Sequence, residues 1–172
     1  MRRVSEYVGK PIVSADNGEK VGTVADVLVD PHAGRIVGVV VGGGILTSEH
    51  VLPYADVQTM GGDAVVARSQ QHIMTAREWH ESAHDAARSS MFKNKRVMTV
   101  GGRDLGAMRD VLVNEQTGIV EAYEVAGPAI TRLVERRSVL SRSDGVTVGP
   151  DAVIVSEDAA RELESPPGLP DR

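Results

Sequence analysis

The residues nearest to a known chemistry are His80 Glu81 Ser82 Ala83 His84, two histidines one helical turn apart with a glutamate beside the first. In zinc proteases that spacing puts two imidazoles on one helix face and a general base next to the metal-bound water. The surroundings oppose that chemistry. Glu78 and Asp85 put charges where such enzymes hold uncharged residues, Ala87 and Ser90 stand where the longer motif has glycine and histidine, and no third ligand is evident. No metal, cofactor or catalytic residue is therefore assigned. Gly42 Gly43 Gly44 is followed by neither the lysine nor the helix start of a phosphate loop, so it reads as a flexible hairpin. Arg132, Arg136 and Arg137, with Arg142 nearby, form the last set. A solvated charged loop with Glu135 is the simpler account of them; an acidic or phosphate-bearing partner is the functional one.

The elements that carry these residues follow from local patterns. Thr75 and Glu78 make a capping box ahead of the stripe Ala76, Trp79, Ala83, Ala87, which predicts a helix around 75–89. Both histidines then flank the apolar stripe while Glu81 points away, so a partly exposed connecting helix explains them without metal. The arginines fall in or beside an insertion, and that is visible because the chain repeats. Gly22, Asp26 and Gly34 fall on Gly106, Asp110 and Gly118 at an offset of 84, while Leu52 and Asp56 fall on Leu140 and Asp144 at an offset of 88. The second copy thus has four extra residues between its middle strands.

Within each copy the apolar residues alternate over short valine-rich runs, the signal of β-strands. Asp16 Asn17 Gly18, Asp30 to Gly34 and Gly61 Gly62 Asp63 are the turns between them. Closely spaced hairpins predict a small antiparallel barrel per copy. The division is 1–72 for copy one, 73–91 for the connecting helix and linker, 92–155 for copy two, and 156–172 for a helix capped by Ser156 and a proline-rich tail. Gly22 and Gly106 read as bends or close backbone approaches, and Asp26 and Asp110 as hydrogen-bond acceptors for a neighbouring turn. A copy of this size has a marginal core, so pairing of the two copies, or a homodimer, is expected to help.

Composition sets the limits. Among 172 residues, 41% are hydrophobic and 25% charged, ordinary values for a globular chain. There is no cysteine, which excludes disulfides and thiolate chemistry. The net charge of −5 and the 3% of aromatic residues argue against nucleic acid as the partner. No apolar run reaches the length of a membrane span and no leader pattern opens the chain, so a cytoplasmic protein is expected.

The run Gly9 Lys10 Pro11 Ile12, then Asn17 through Asp30, closing with Val51 Leu52 Pro53 Tyr54 Ala55 Asp56 Val57, resembles the PRC-barrel family. Lys95 to Val155 is similar to a drifted member, keeping Leu105 Gly106 and Asp110 to Asn114 but with Ser141 in place of Pro53. The resemblance implies an all-β fold of two tandem small barrels joined by a helix. It also implies an interaction surface, since the domain occurs in a photosynthetic reaction-centre subunit, a ribosome-maturation factor and free-standing bacterial and archaeal proteins. It supplies no catalytic residues. The expected role is a non-enzymatic binding or assembly module with an unidentified protein partner, Arg132, Arg136 and Arg137 being the candidate contacts. The alternatives are an RNA- or ribosome-associated factor and a metalloprotein using His80, Glu81 and His84.

Overall fold

The protein is described here from a computed structural model, which places residues 1–43, 48–81, 86–127, 137–142 and 145–164. In chain order the elements are β1 (Arg2–Arg3), β2 (Pro11–Ser14), β3 (Lys20–Asp30), β4 (Arg35–Gly42), β5 (His50–Pro53), β6 (Val57–Met60), β7 (Val65–Ala67) and β8 (Met74–Thr75). Helix α1 (Ala76–Glu81), β9 (Ala87–Arg88) and helix α2 (Ser89–Phe92) follow. Then come β10 (Arg96–Thr99), β11 (Asp104–Val113), β12 (Val120–Ala126), β13 (Arg137–Ser141), β14 (Val146–Val148), β15 (Ala152–Val155) and helix α3 (Glu157–Glu164).

The chain is mainly β, in two curled half-barrel sheets, as the alternation of apolar residues predicts. The first sheet runs β6-β7-β2-β3-β4-β5-β8 and the second β13-β12-β11-β10-β15-β14. Inward-pointing Val24, Val27, Val29, Ile36, Val39 and Val41 of the first meet Met108, Val111, Val113, Val120, Tyr123 and Val125 of the second in one continuous core. Leu52 lies opposite Val39 and Leu140 opposite Tyr123, so the four-residue insertion between the middle strands is seen directly in the register.

The two sheets also exchange strands. β1 pairs with β11 (Arg3 opposite Leu112), and β9 pairs with β3 (Arg88 opposite Leu28). Each exchanged strand leads into a short turn, Val4–Tyr7 in one case and α2 in the other. Lys10 and Lys95 close these turns with equivalent bonds to the Tyr7 and Phe92 carbonyls, both 3.1 Å. The structural repeat therefore opens at Arg2 and at Ala87, at an offset of 85. At the other end of the β3–β4 and β11–β12 hairpins, Ile36 N–H donates to Gly118 O (2.8 Å) and Val120 N–H to Gly34 O (2.9 Å). Arg35 and Ile119 form a bridge between those two bonds, which puts a pseudo-twofold axis through it.

The helices differ in part from expectation. Thr75 and Glu78 do make the capping box, with Glu78 accepting from Thr75 N–H at 2.7 Å and donating its own N–H to Thr75 Oγ1 at 3.2 Å. The helix does not extend to 89, because Ala87 and Arg88 are extended and take up ladder bonds to β3; tertiary pairing overrides local helical spacing. Trp79 covers the outer side of the first sheet with Leu28, Val40 and Val51. Helix α3 is capped as expected, Ala159 N–H donating to Ser156 Oγ at 3.2 Å. Among the described residues no helix is long and apolar enough to cross a membrane.

The two expected close approaches are real. A Cβ at Gly22 would sit 2.7 Å from Gly42 O, and one at Gly106 would overlap Ala126 O at a φ of +122°. Gly102 also has positive φ, +82°, but open space around it. Gly102→Ala should cost about 1 kcal/mol of backbone strain, whereas Gly106→Ala adds displacement of β12 and should cost about 3 kcal/mol or more. Thermal unfolding of the two variants beside the parent measures the difference.

Candidate functional site: the joint between the two copies

Two of the four buried polar residues among those described, Asp26 and Glu124, are engaged where the copies meet. Asp26 lies on the outer side of β3 and is 5% exposed. Its Oδ1 accepts from Ser89 Oγ (2.6 Å) and Ser90 N–H (3.3 Å), its Oδ2 accepts from Ser90 Oγ, and its own chain supplies Val27 N–H at 2.8 Å. Burial alone would push this carboxyl up. The hydroxyls of Ser89 and Ser90 and the amides of Val27 and Ser90 outweigh burial and hold it below the ordinary carboxylate range. Across the pseudo-twofold, Asp110 accepts from Ser5 N–H (3.2 Å), Ser5 Oγ and Val111 N–H (2.9 Å). Each repeat aspartate thus serves the opening turn of the other copy. The acceptor role was readable in the sequence; that the turn belongs to the other copy was not.

Ion pairs follow the same exchange. Arg3 Nε bonds Glu124 Oε2 at 2.6 Å, Arg2 reaches Glu115 at 3.3 Å, and Arg88 pairs with Glu49. Arg2 also lies over the Tyr7 ring, 5.7 Å from its centroid. At the far end, Tyr54 lies over Gly118 and Arg142 over Gly34, the Arg142 guanidinium donating to Ala33 O at 3.4 Å. Tyr54 and Arg142 are equivalents at the offset of 88, so the same place holds a ring on one side and a cation on the other.

Of the arginine set singled out by the sequence, Arg142 lies at this joint. Arg132 and Arg136 are outside the described residues, as are His84 and Gly44. Arg137 opens β13 with its backbone opposite Ala126. His80 is exposed on α1, and Glu81 pairs with Arg77 at 3.4 Å. Among the described residues no group of three or more histidines and carboxylates is gathered as a metal site would need. Ser5, Ser90 and Arg3 escaped the sequence reading, although Arg3-Val4-Ser5-Glu6-Tyr7 and Arg88-Ser89-Ser90-Met91-Phe92 carry the signal. Their offset of 85 is one more than that of the strands that follow, which hides the match.

Comparison with known proteins agrees with the duplication. A profile of the PRC-barrel domain matches residues 1–71 and again 84–162. A protein of Bacillus subtilis (strain 168), named as a probable sporulation protein, YlmC, is 29% identical over 80 residues. The match takes in 42% of this chain and 99% of that protein, so the relative is one copy long.

Two outcomes follow from the joint. Asp26→Ala strands two hydroxyls and two amides and should cost about 3 kcal/mol, more than Asp110→Ala at its half-buried site. Because the Asp26 carboxyl is held low, its contribution is complete above the usual carboxylate range and is lost as pH falls through the depressed folded value. Asp26→Asn should therefore show a flatter loss of stability than the parent below about pH 4 in acid denaturation. The second concerns the Tyr7 hydroxyl, buried and without a hydrogen bond among the described residues, where the twin position carries Phe92. Tyr7→Phe should stabilise the fold by about 1 kcal/mol, read as a rise of about 2–4 °C in Tm.

Proposed function

Because the chain belongs to the PRC-barrel domain family and carries the domain twice, we propose that it works as a non-enzymatic docking module that holds a protein partner. The observation that carries this reading is where the buried polar groups are engaged. Among the described residues these are Ser14, Asp26, Thr99 and Glu124. Ser14 bonds Asp16, Asp26 caps the exchanged turn, Thr99 accepts from Arg103 N–H at 3.1 Å, and Glu124 is paired with Arg3. Groups fixed in this way stiffen a scaffold and are not poised to exchange protons with a substrate.

The outer faces of the two sheets supply the rest of the argument. On the first, Trp79 covers Leu28, Val40 and Val51. On the second, the equivalents of Leu28 and Val51 are Leu112, half-buried, and Val139, 49% exposed. Val139 stands on β13, two residues beyond Arg137, so one of the candidate arginines and an exposed apolar side chain share one strand. We assign the partner surface to this face, in a cytoplasmic setting. The name of the Bacillus relative places that protein in sporulation, and an assembly role in such a process is consistent with a docking module.

Affinity capture from the source cell tests the reading with the full chain, Val139→Glu and the Arg136→Gln/Arg137→Gln pair as baits. The expected result is a protein partner that survives nuclease treatment and falls at least about tenfold with Val139→Glu, at unchanged Tm. Recovery dependent on RNA, or turnover of a substrate by the purified protein, overturns it.

A further inference from the structure

The pseudo-twofold axis relates two crevices, each between the β-turn of one copy and the sheet of the other, and they have diverged. In one, Tyr54 lies over the turn at Gly118, with buried Val57 beside it. In the other, Arg142 replaces Tyr54, Gly145 replaces Val57 and Tyr123 replaces Val39, and a cavity of about 280 Å³ remains. Its walls are Pro31 and His32 from copy one, and Tyr123, Arg142 and the stretch Gly145 to Val148, with Thr147, from copy two. His32 has Gln116 as its twin.

The polar side chains among the described lining residues, His32, Tyr123, Arg142 and Thr147, can all donate. The Arg142 guanidinium makes one long bond, to Ala33 O at 3.4 Å, and forms no ion pair among the described residues. The Tyr123 ring is 2% exposed, and burial pushes its phenol up while Arg142 pulls it down, with a net rise, so it stays an O–H donor at neutral pH. Of the carboxylates described near the crevice, Asp30 is engaged by the N–H groups of His32 and Ala33, both at 2.9 Å; Asp144 lies outside the described residues. Glu121, on the strand of Tyr123, accepts from Asn114 Nδ2 at 3.2 Å.

We propose that this crevice binds a phosphate group, held by the Arg142 fork with the Tyr123 hydroxyl, Thr147 Oγ1 and the His32 ring as further donors. The volume suits free phosphate or a phosphomonoester with a few carbon atoms, below the usual range for larger cofactors. Both copies line the crevice, so the bound group ties them together and stabilises the native state by mass action. This site is independent of the docking face on β13.

The full-length protein is titrated with inorganic phosphate and, separately, with O-phosphoserine, against sodium chloride at matched ionic strength. Tm and the backbone amide resonances of His32 and Thr147 are followed. A saturable rise in Tm with shifts at both amides is expected; tighter binding of O-phosphoserine identifies a phosphorylated small molecule, and equal binding identifies free phosphate. Arg142→Gln should weaken binding at least about tenfold, Thr147→Val by a smaller factor, and Arg77→Gln on α1 should leave it unchanged. Thr147→Val keeps the test decisive if Arg142→Gln disturbs the turn at Gly34. Equal responses to chloride and phosphate, or binding undiminished in both Arg142→Gln and Thr147→Val, overturn the assignment.

Discussion

The long strand of each copy outruns the partner its own copy supplies. β2 pairs with β3 from Lys20 to Thr23, and β10 pairs with β11 from Asp104 to Ala107, while both long strands continue to Asp30 and Val113. The far half of that edge is therefore without a partner from its own copy, and backbone groups there need one if they are to leave water. The opening strand of the other copy supplies it, and the aspartates fix the turn that follows. Neither copy is complete without the other, and the single core running through both sheets is the packing counterpart of that exchange.

This dependence explains which features the duplication retains and which it lets go. The turn glycines Gly34 and Gly118, at φ +64° and +68°, and the aspartates Asp26 and Asp110 belong to the exchange itself and are the same in both copies. Gly9 and Asn94 keep positive φ, +86° and +67°, with different residues, asparagine being the side chain that tolerates it best after glycine. Beyond the joint the copies part. After β7 the first copy continues into β8 and the Trp79 helix, while after β15 the second continues directly into α3, whose Ala159 and Ala160 enter the common core.

Legibility in the sequence follows the same division. Local chemistry was readable: the Thr75–Glu78 capping box, the Ser156 cap, the close approaches at Gly22 and Gly106, and the acceptor role of Asp26 all rest on residues a few positions apart or on hard sterics. The exchange was not, because nothing in the spacing of Arg3 and Leu112 says they are neighbours; pairing over such a separation is decided by register and core, not by propensity. The expected helix through Ala87 fails for the same reason, since the apolar stripe from Ala76 to Ala87 yields to an edge that needs a strand. The crevice at Arg142 was hidden too, because its walls come from Pro31–His32 and from residues beyond Tyr123.

A duplicated fold carries its own control experiment. Where both copies keep a residue, the shared backbone demands it. Where one copy changes a residue and the backbone is unaffected, the demand comes from elsewhere. Tyr54 and Arg142 both rest on a turn glycine in the left-handed region, so the turn itself does not distinguish ring from cation. Arginine leaves the position solvated and without an ion pair among the described residues, which costs more than an aromatic plug that excludes water. Tyr123 in place of Val39 adds a hydroxyl near a buried wall, again at a cost in desolvation. Two changes that each carry a cost in desolvation, falling in one crevice and both adding donors, support the anion site proposed there and are not explained by stability alone.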